Sequence, residues 1–185
     1  MMKAFVRTAA ASALLLATSV GLHGCVTAAN PSLAALSEGQ FSLDKTHASL
    51  VFRVRHFGLS WYTMRFNDFD ATLNFDPATP ENSSVNVIIN PRSVDAYHPE
   101  KDADWDEELA TSGKFLRAEE FPQVTFASTN VTVTGDNTGV VTGDLTLLGV
   151  TRPISMDVVF NGSNTLPWAP GRTMLGFSAT GAFNR

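Results

Sequence analysis

From Phe41 to Phe75 the chain alternates in a way that only a pleated strand satisfies. Leu50, Phe52, Val54 and His56 fall on one side, and Val51, Arg53 and Arg55 on the other. Successive side chains of a strand point to opposite faces, so this stretch predicts a sheet with one apolar and one charged face. Gly58 interrupts the run and Trp61 to Phe66 resumes it, which predicts a β-hairpin. Asp68 to Asp70 predicts a bend. Leu73 and Phe75 then share a face before Asp76-Pro77 and Thr79-Pro80 end the strand.

The same alternation returns along the chain. Val85, Val87 and Ile89 share a face, as do Val124 with Phe126, and Val131 with Val133. Further on, Val141, Gly143, Leu145 and Leu147 form one such face, and Ile154, Met156, Val158 and Phe160 another. Gly135-Asp136-Asn137 predicts a turn, Gly149 to Pro153 a connector, and a loop through Trp168 and Pro170 leads to Leu175, Phe177 and Ala179. Roughly eight to ten strands at this spacing make an all-β sandwich or barrel. Pro91 to Pro122 breaks the pattern. Trp105 and Leu109 are i, i+4 neighbours with acids around them, which predicts a short helical insertion. Asp102, Asp104 and Asp106 imitate the start of a calcium loop, but Glu107 and Gly113 stand where such a loop needs Gly and Glu. These acids read as a solvated face.

The first residues belong to another category. Lys3 and Arg7 precede a short apolar run from Ala9 to Val20, the pattern of a bacterial export signal. The run is too short and too rich in small residues to span a bilayer stably. Leu22-His23-Gly24-Cys25 then resembles a lipobox, and Cys25 is the only cysteine, so no disulfide partner exists within the chain. Lipid attachment at Cys25 is therefore expected, with residues 1–24 as signal, 25–39 as tether and 40–185 as the folded domain. Val26 favours sorting of such a lipoprotein to the outer membrane. The alternative is ordinary cleavage after Ala29, which yields a soluble periplasmic protein. Removing the leader leaves 11 basic against 18 acidic side chains, a net charge of −7. That balance argues against nucleic acid and anionic lipid headgroups as partners of the body. The membrane would be met through the anchor.

Four segments resemble the YceI-like family, the polyisoprenoid-binding proteins. They are Asp44 to Ser49 with Phe52 to Gly58; Ser93-Val94-Asp95; Phe121 to Thr129, which follows the pattern F-P-x-x-T-F-x-S-T; and Gly143 to Pro153, which follows G-D-L-T-L-x-G-V-T-[KR]-P. The resemblance implies an extended antiparallel lipocalin-like β-barrel, exported, without metal or cofactor, holding the apolar chain of an isoprenoid or similar amphiphile for sequestration or transport. It is compatible with a homodimer. Two departures stand out. Glu108-Leu109 occupies a longer segment where relatives carry His-Leu, and relatives continue for about one strand more than this sequence, so an unpaired edge is expected here.

The candidate ligand-binding residues are Phe52, Val54, His56, Phe66, Phe75, Val87, Ile89, Phe126, Leu145, Leu147, Met156 and Val158. Each is equally suited to a packed core, since alternation alone does not distinguish a lumen from a filled interior. His56 reads as a hydrogen-bonded core histidine or as a contact to a ligand headgroup. Trp61, Tyr62 and Trp168 suit a wet rim or a cap on the core. His47 and His98 have no metal spacing with each other or with His56. No G-x-S-x-G, C-x-x-C, H-E-x-x-H or glycine-rich phosphate loop occurs; the resemblance implies a binding protein rather than an enzyme. Two alternatives are an enzyme acting on an isoprenoid lipid with His56 as acid or base, and a structural envelope lipoprotein with a filled core.

Overall fold

Among the described residues the chain forms ten strands: the alternating segments supply nine, and the Pro91 to Pro122 insertion supplies a two-residue strand and a short α-helix. In this computed structural model, which describes residues 30, 32–34, 36–100, 104–165 and 171–184, the order is β1 (Gly39–Ser42), β2 (Leu50–His56), β3 (Ser60–Phe66), β4 (Phe69–Phe75), β5 (Ser84–Ile89), β6 (Val94–Asp95), α1 (Trp105–Thr111), β7 (Val124–Gly135), β8 (Thr138–Leu147), β9 (Val150–Thr165) and β10 (Thr173–Gly181). Cys25, the expected export signal and Trp168 lie outside the described residues.

Seven strands pair antiparallel in the order β1-β4-β5-β7-β8-β9-β10, and β2-β3-β6 form a second, three-stranded sheet. The large sheet curls into a half-barrel. Phe75 on β4 reaches Phe160 on β9 at 6.3 Å and Phe177 on β10 at 5.7 Å between ring centroids. Three strands separate β4 from β9 in the sheet, so only strong curvature brings these rings together, and it makes their face the concave one. Among the described residues β1 and β10 have a strand neighbour on one side only, and the barrel is open. Backbone bonds of 2.9 and 2.8 Å tie Asn30 to Ser163 on β9, so this part of the expected tether lies against the sheet.

Three local expectations are corrected. Val150 to Pro153 is strand rather than connector, and the turn is the two residues Leu148-Gly149. Proline is tolerated there because β10 pairs with β9 only as far as Met156, which leaves Pro153 on a free edge. Val124–Phe126 and Val131–Val133 belong to one strand, continuous through a bulge between Ser128 and Asn130. The bend before β4 falls at Asn67-Asp68, and Asp70 is already within the strand.

Helix α1 is short and anchored by its acids. Asp104 Oδ1 accepts the Glu107 N–H at 3.1 Å as the N-cap, and Asp106 Oδ1 accepts the Ala96 N–H at 2.8 Å. These two aspartates are therefore a cap and a strap; Asp102 lies outside the described residues.

Candidate ligand-binding face

Cross-strand partners share a face, so the register builds the surface row by row. Val87 on β5, Phe126 on β7 and Leu145 on β8 form one row; Ile89 and Val124 form a second. Val131, Val141 and Met156 form a third, and Gly139 with Val158 a fourth. Alternation along β9 puts Met156 and Val158 on the side of Phe160, which is the concave side. Of the candidates, Phe75, Val87, Ile89, Phe126, Leu145, Leu147, Met156 and Val158 thus share the concave face. Phe52, Val54, His56 and Phe66 lie on the second sheet.

Burial grades across this face. Phe75, Ile89 and Phe126 are 4–8% exposed and form its floor, with Val124, Val141 and Phe160. Val87, Leu145, Leu147, Met156 and Val158 are only half-buried. No buried polar or charged residue occurs among the described residues. On the second sheet Phe52 and Phe66 stack at 4.9 Å, beside Met64, which is buried. Met64, Val141 and Phe160 belong to the apolar surface although they are absent from the candidate list. The period-2 pattern through Tyr62, Met64 and Phe66 is the signal that finds the first of them.

His56 is not a core histidine. It is exposed, and its ring contacts are Phe57 at 4.4 Å and Tyr62 at 6.4 Å, with no hydrogen bond to its side chain among the described residues. Tyr62 instead donates its hydroxyl to the Ala96 carbonyl at 2.8 Å. Trp61 is 57% exposed and lies under the guanidinium groups of Arg53 and Arg55, 5.7 and 5.1 Å from the ring centroid. Two open clefts of about 390 and 200 Å³ flank Lys45, which pairs with Asp70 at 3.3 Å and Asp68 at 3.7 Å. Phe66 lines the smaller one.

The four recurring segments act as fasteners of this scaffold. Asp44 accepts hydrogen bonds from the Thr46 hydroxyl at 2.6 Å and the Thr46 N–H at 3.0 Å, and pairs with His47 Nδ1 at 2.8 Å. The Thr46 hydroxyl, His47 and the Thr46 N–H, in that order, bring its carboxyl down to about 2. Asp95 receives Arg65 Nε at 2.9 Å, Asn67 Nδ2 at 3.2 Å and the Tyr97 N–H at 2.9 Å, tying β6 to β3. Burial opposes its ionisation, but these donors win and hold the carboxyl below its usual range. The last two segments interlock. A Cβ on Gly143 would run into the Phe126 ring at 2.5 Å and into the Ala127 carbonyl, and one on Gly149 would meet Phe121 at 2.7 Å. Glycine at these positions lets the two aromatic rings of Phe121–Thr129 seat against β8 and its turn.

An open antiparallel half-barrel with an apolar concave face defines a β-barrel of the lipocalin-like type. Residues 41–185 match the YceI-like domain, and the chain belongs to that family. A UPF0312 protein of Pectobacterium atrosepticum is 39% identical over 168 residues, covering 91% of this chain and 83% of that protein. Protein YceI of Salmonella arizonae is 41% identical over 144 residues, covering 77% of this chain and 71% of that one. Among solved structures, the Campylobacter jejuni YCEI protein superposes with a TM-score of 0.57 at 29% identity, covering 75% of this chain and 77% of that one. Burkholderia cenocepacia BcnA does so with a TM-score of 0.56 at 25% identity, covering 63% and 70%.

Proposed function

We propose that the chain binds the apolar tail of a polyisoprenoid or similar amphiphile along the concave face of its half-barrel, for sequestration or transport. One observation carries this reading: a run of aliphatic and aromatic side chains, half-buried and uninterrupted by buried polar groups, lies on the inside of the curl. Such a surface loses about 25 cal/mol per Å² while it faces water, so a tail that covers it gains the corresponding free energy. Each CH₂ buried contributes about 0.8 kcal/mol, and a face whose one guanidinium, Arg152 opposite Leu145, is exposed at its margin selects along the tail for length and apolarity rather than for a particular tail. The protein is exported, and acylation of Cys25 anchors it to the outer membrane on its periplasmic side.

Native mass spectrometry of the mature protein from its own host, followed by denaturation and identification of the released lipid, tests this directly. A stoichiometric long-chain isoprenoid supports the proposal. A mass equal to the bare polypeptide, apart from any acyl groups at its N-terminus, would overturn it.

A further inference from the structure

The β2–β3 hairpin stands away from the rest of the molecule. Phe52 and Tyr62 are half-buried, but every residue from Arg53 to Trp61 is exposed, on both faces of the hairpin. Four residues at about 3.3 Å each carry the strand about 13 Å from Phe52 to His56. The projecting tip is apolar. Phe57 is 85% and Leu59 88% exposed, and Trp61 is beside them.

The turn itself is chemically unusual. Leu59 N–H donates to the His56 carbonyl at 3.0 Å, and Phe57 and Gly58 have φ of 50° and 74°. Turns of this primed geometry favour Asn or Asp before Gly, because a bulky L-residue is strained at positive φ. The β8–β9 turn is its counterpart within the same molecule. Leu148 and Gly149 also have positive φ, 53° and 73°, but Leu148 is half-buried and Gly149 lies under the Phe121 ring. An apolar side chain there has packing to set against its strain. Phe57 has only the edge of its neighbour His56.

Charge identifies the occupant. From Lys45 to Asn67 the chain contains no carboxylate, in a protein whose overall charge is −5. Arg53 and Arg55 lie on the outer face of the hairpin, stacked on Trp61, with neither in an ion pair among the described residues, whereas Arg65 further back is paired with Asp95. An aromatic and aliphatic tip with a collar of arginines and a tryptophan is the chemistry of an anionic bilayer surface: apolar groups enter the acyl boundary and guanidinium groups meet phosphates. The net acidity of the body describes the sum of its charges and not their placement. We propose that this hairpin is a membrane-docking finger that inserts Phe57 and Leu59 into an anionic phospholipid surface. It acts independently of an acyl anchor and of whatever fills the concave face.

Sedimentation with vesicles tests it. The chain carrying Cys25→Ser, which removes any acyl group there, is compared with the same chain carrying Phe57→Ser/Leu59→Ser, Arg53→Gln/Arg55→Gln or Phe57→Asn. The leader is basic and apolar and would itself bind anionic vesicles, so all four are compared after residues 1–24 are removed. Vesicles of phosphatidylglycerol with phosphatidylethanolamine should bind the parent more tightly than phosphatidylcholine vesicles. The apolar variant should bind about 10-fold less tightly or worse, and the arginine variant roughly 5-fold less per arginine at low salt, with this difference shrinking as salt rises. Phe57→Asn suits the turn, so its reduced binding separates docking from folding. Equal vesicle binding by parent and variants would overturn the proposal. So would a self-association that Phe57→Ser/Leu59→Ser abolishes while vesicle binding is unchanged, since the tip would then be a contact with a second copy.

Discussion

At Gly143 the fit between two strands leaves no room for a single carbon. The nearest groups to an added Cβ are the Ala127 carbonyl, fixed in the sheet, and the Phe126 ring, 4% exposed and unable to swing away. Gly143→Ala should lower stability by roughly 1–3 kcal/mol, the usual range for overpacking. Urea denaturation should show a lower midpoint with the slope unchanged. Titration of Asp44 gives a second prediction. Its carboxyl is at about 2 in the fold against 3.8 ordinarily, so the unfolded chain binds the proton more tightly. The stabilisation is full above 3.8 and is lost as pH falls through about 2. Asp76, held down chiefly by the Thr79 N–H against its desolvation, and Asp95 have the same sign. Thermal midpoints should therefore fall through this acid window. Asp44→Asn should fall less, because one of the groups that drives the loss is gone; an unchanged profile would show that Asp44 is not among them.

The two apolar-glycine turns make opposite predictions at the level of the element. Phe57→Asn relieves positive φ at a side chain whose one ring contact is its exposed neighbour His56, and should raise stability by up to about 1 kcal/mol. Leu148→Asn gives the same relief but removes a half-buried side chain beside the Phe121 seat, and should lower stability by about 1 kcal/mol. Urea midpoints of the two variants measured side by side decide this. The same pair marks where sequence reading stops. Strict alternation at Leu50–His56 and Leu145–Leu147 is a property of the strand itself, so the faces were legible from residue order. So was α1, from Trp105 and Leu109. The strand through Pro153 was not, because a proline reads as a connector unless the neighbouring strand is known to end first. Nor was the standing-out of His56. Alternation is identical whether a face is covered or bare, and only the tertiary arrangement leaves Arg53 to Trp61 exposed. Which candidates share a face within one strand was therefore legible, but their division between two sheets was not.

For the molecule as a whole, the question is what completes the interior of the half-barrel. A filled core and a ligand face differ in how they tolerate charge. Phe126 is part of the floor at 4% exposure, whereas Met156 is half-buried on the same concave face, one strand beyond β8. Phe126→Glu puts a carboxylate where nothing can solvate or pair it, and should unfold the domain in any reading. Met156→Glu separates the readings. If a lipid tail lies along the face, the empty protein keeps its fold, since the new carboxylate reaches water. The lipid-loaded form loses its ligand, and with it the stabilisation that a ligand of the folded state confers. Lipid extraction of Met156→Glu should then yield little isoprenoid. Its thermal midpoint should match that of delipidated parent protein and lie several degrees below that of loaded parent. If side chains alone complete the interior, Met156→Glu behaves like Phe126→Glu and fails to fold. Retention of the lipid by a folded Met156→Glu protein would place the tail elsewhere than on the concave face.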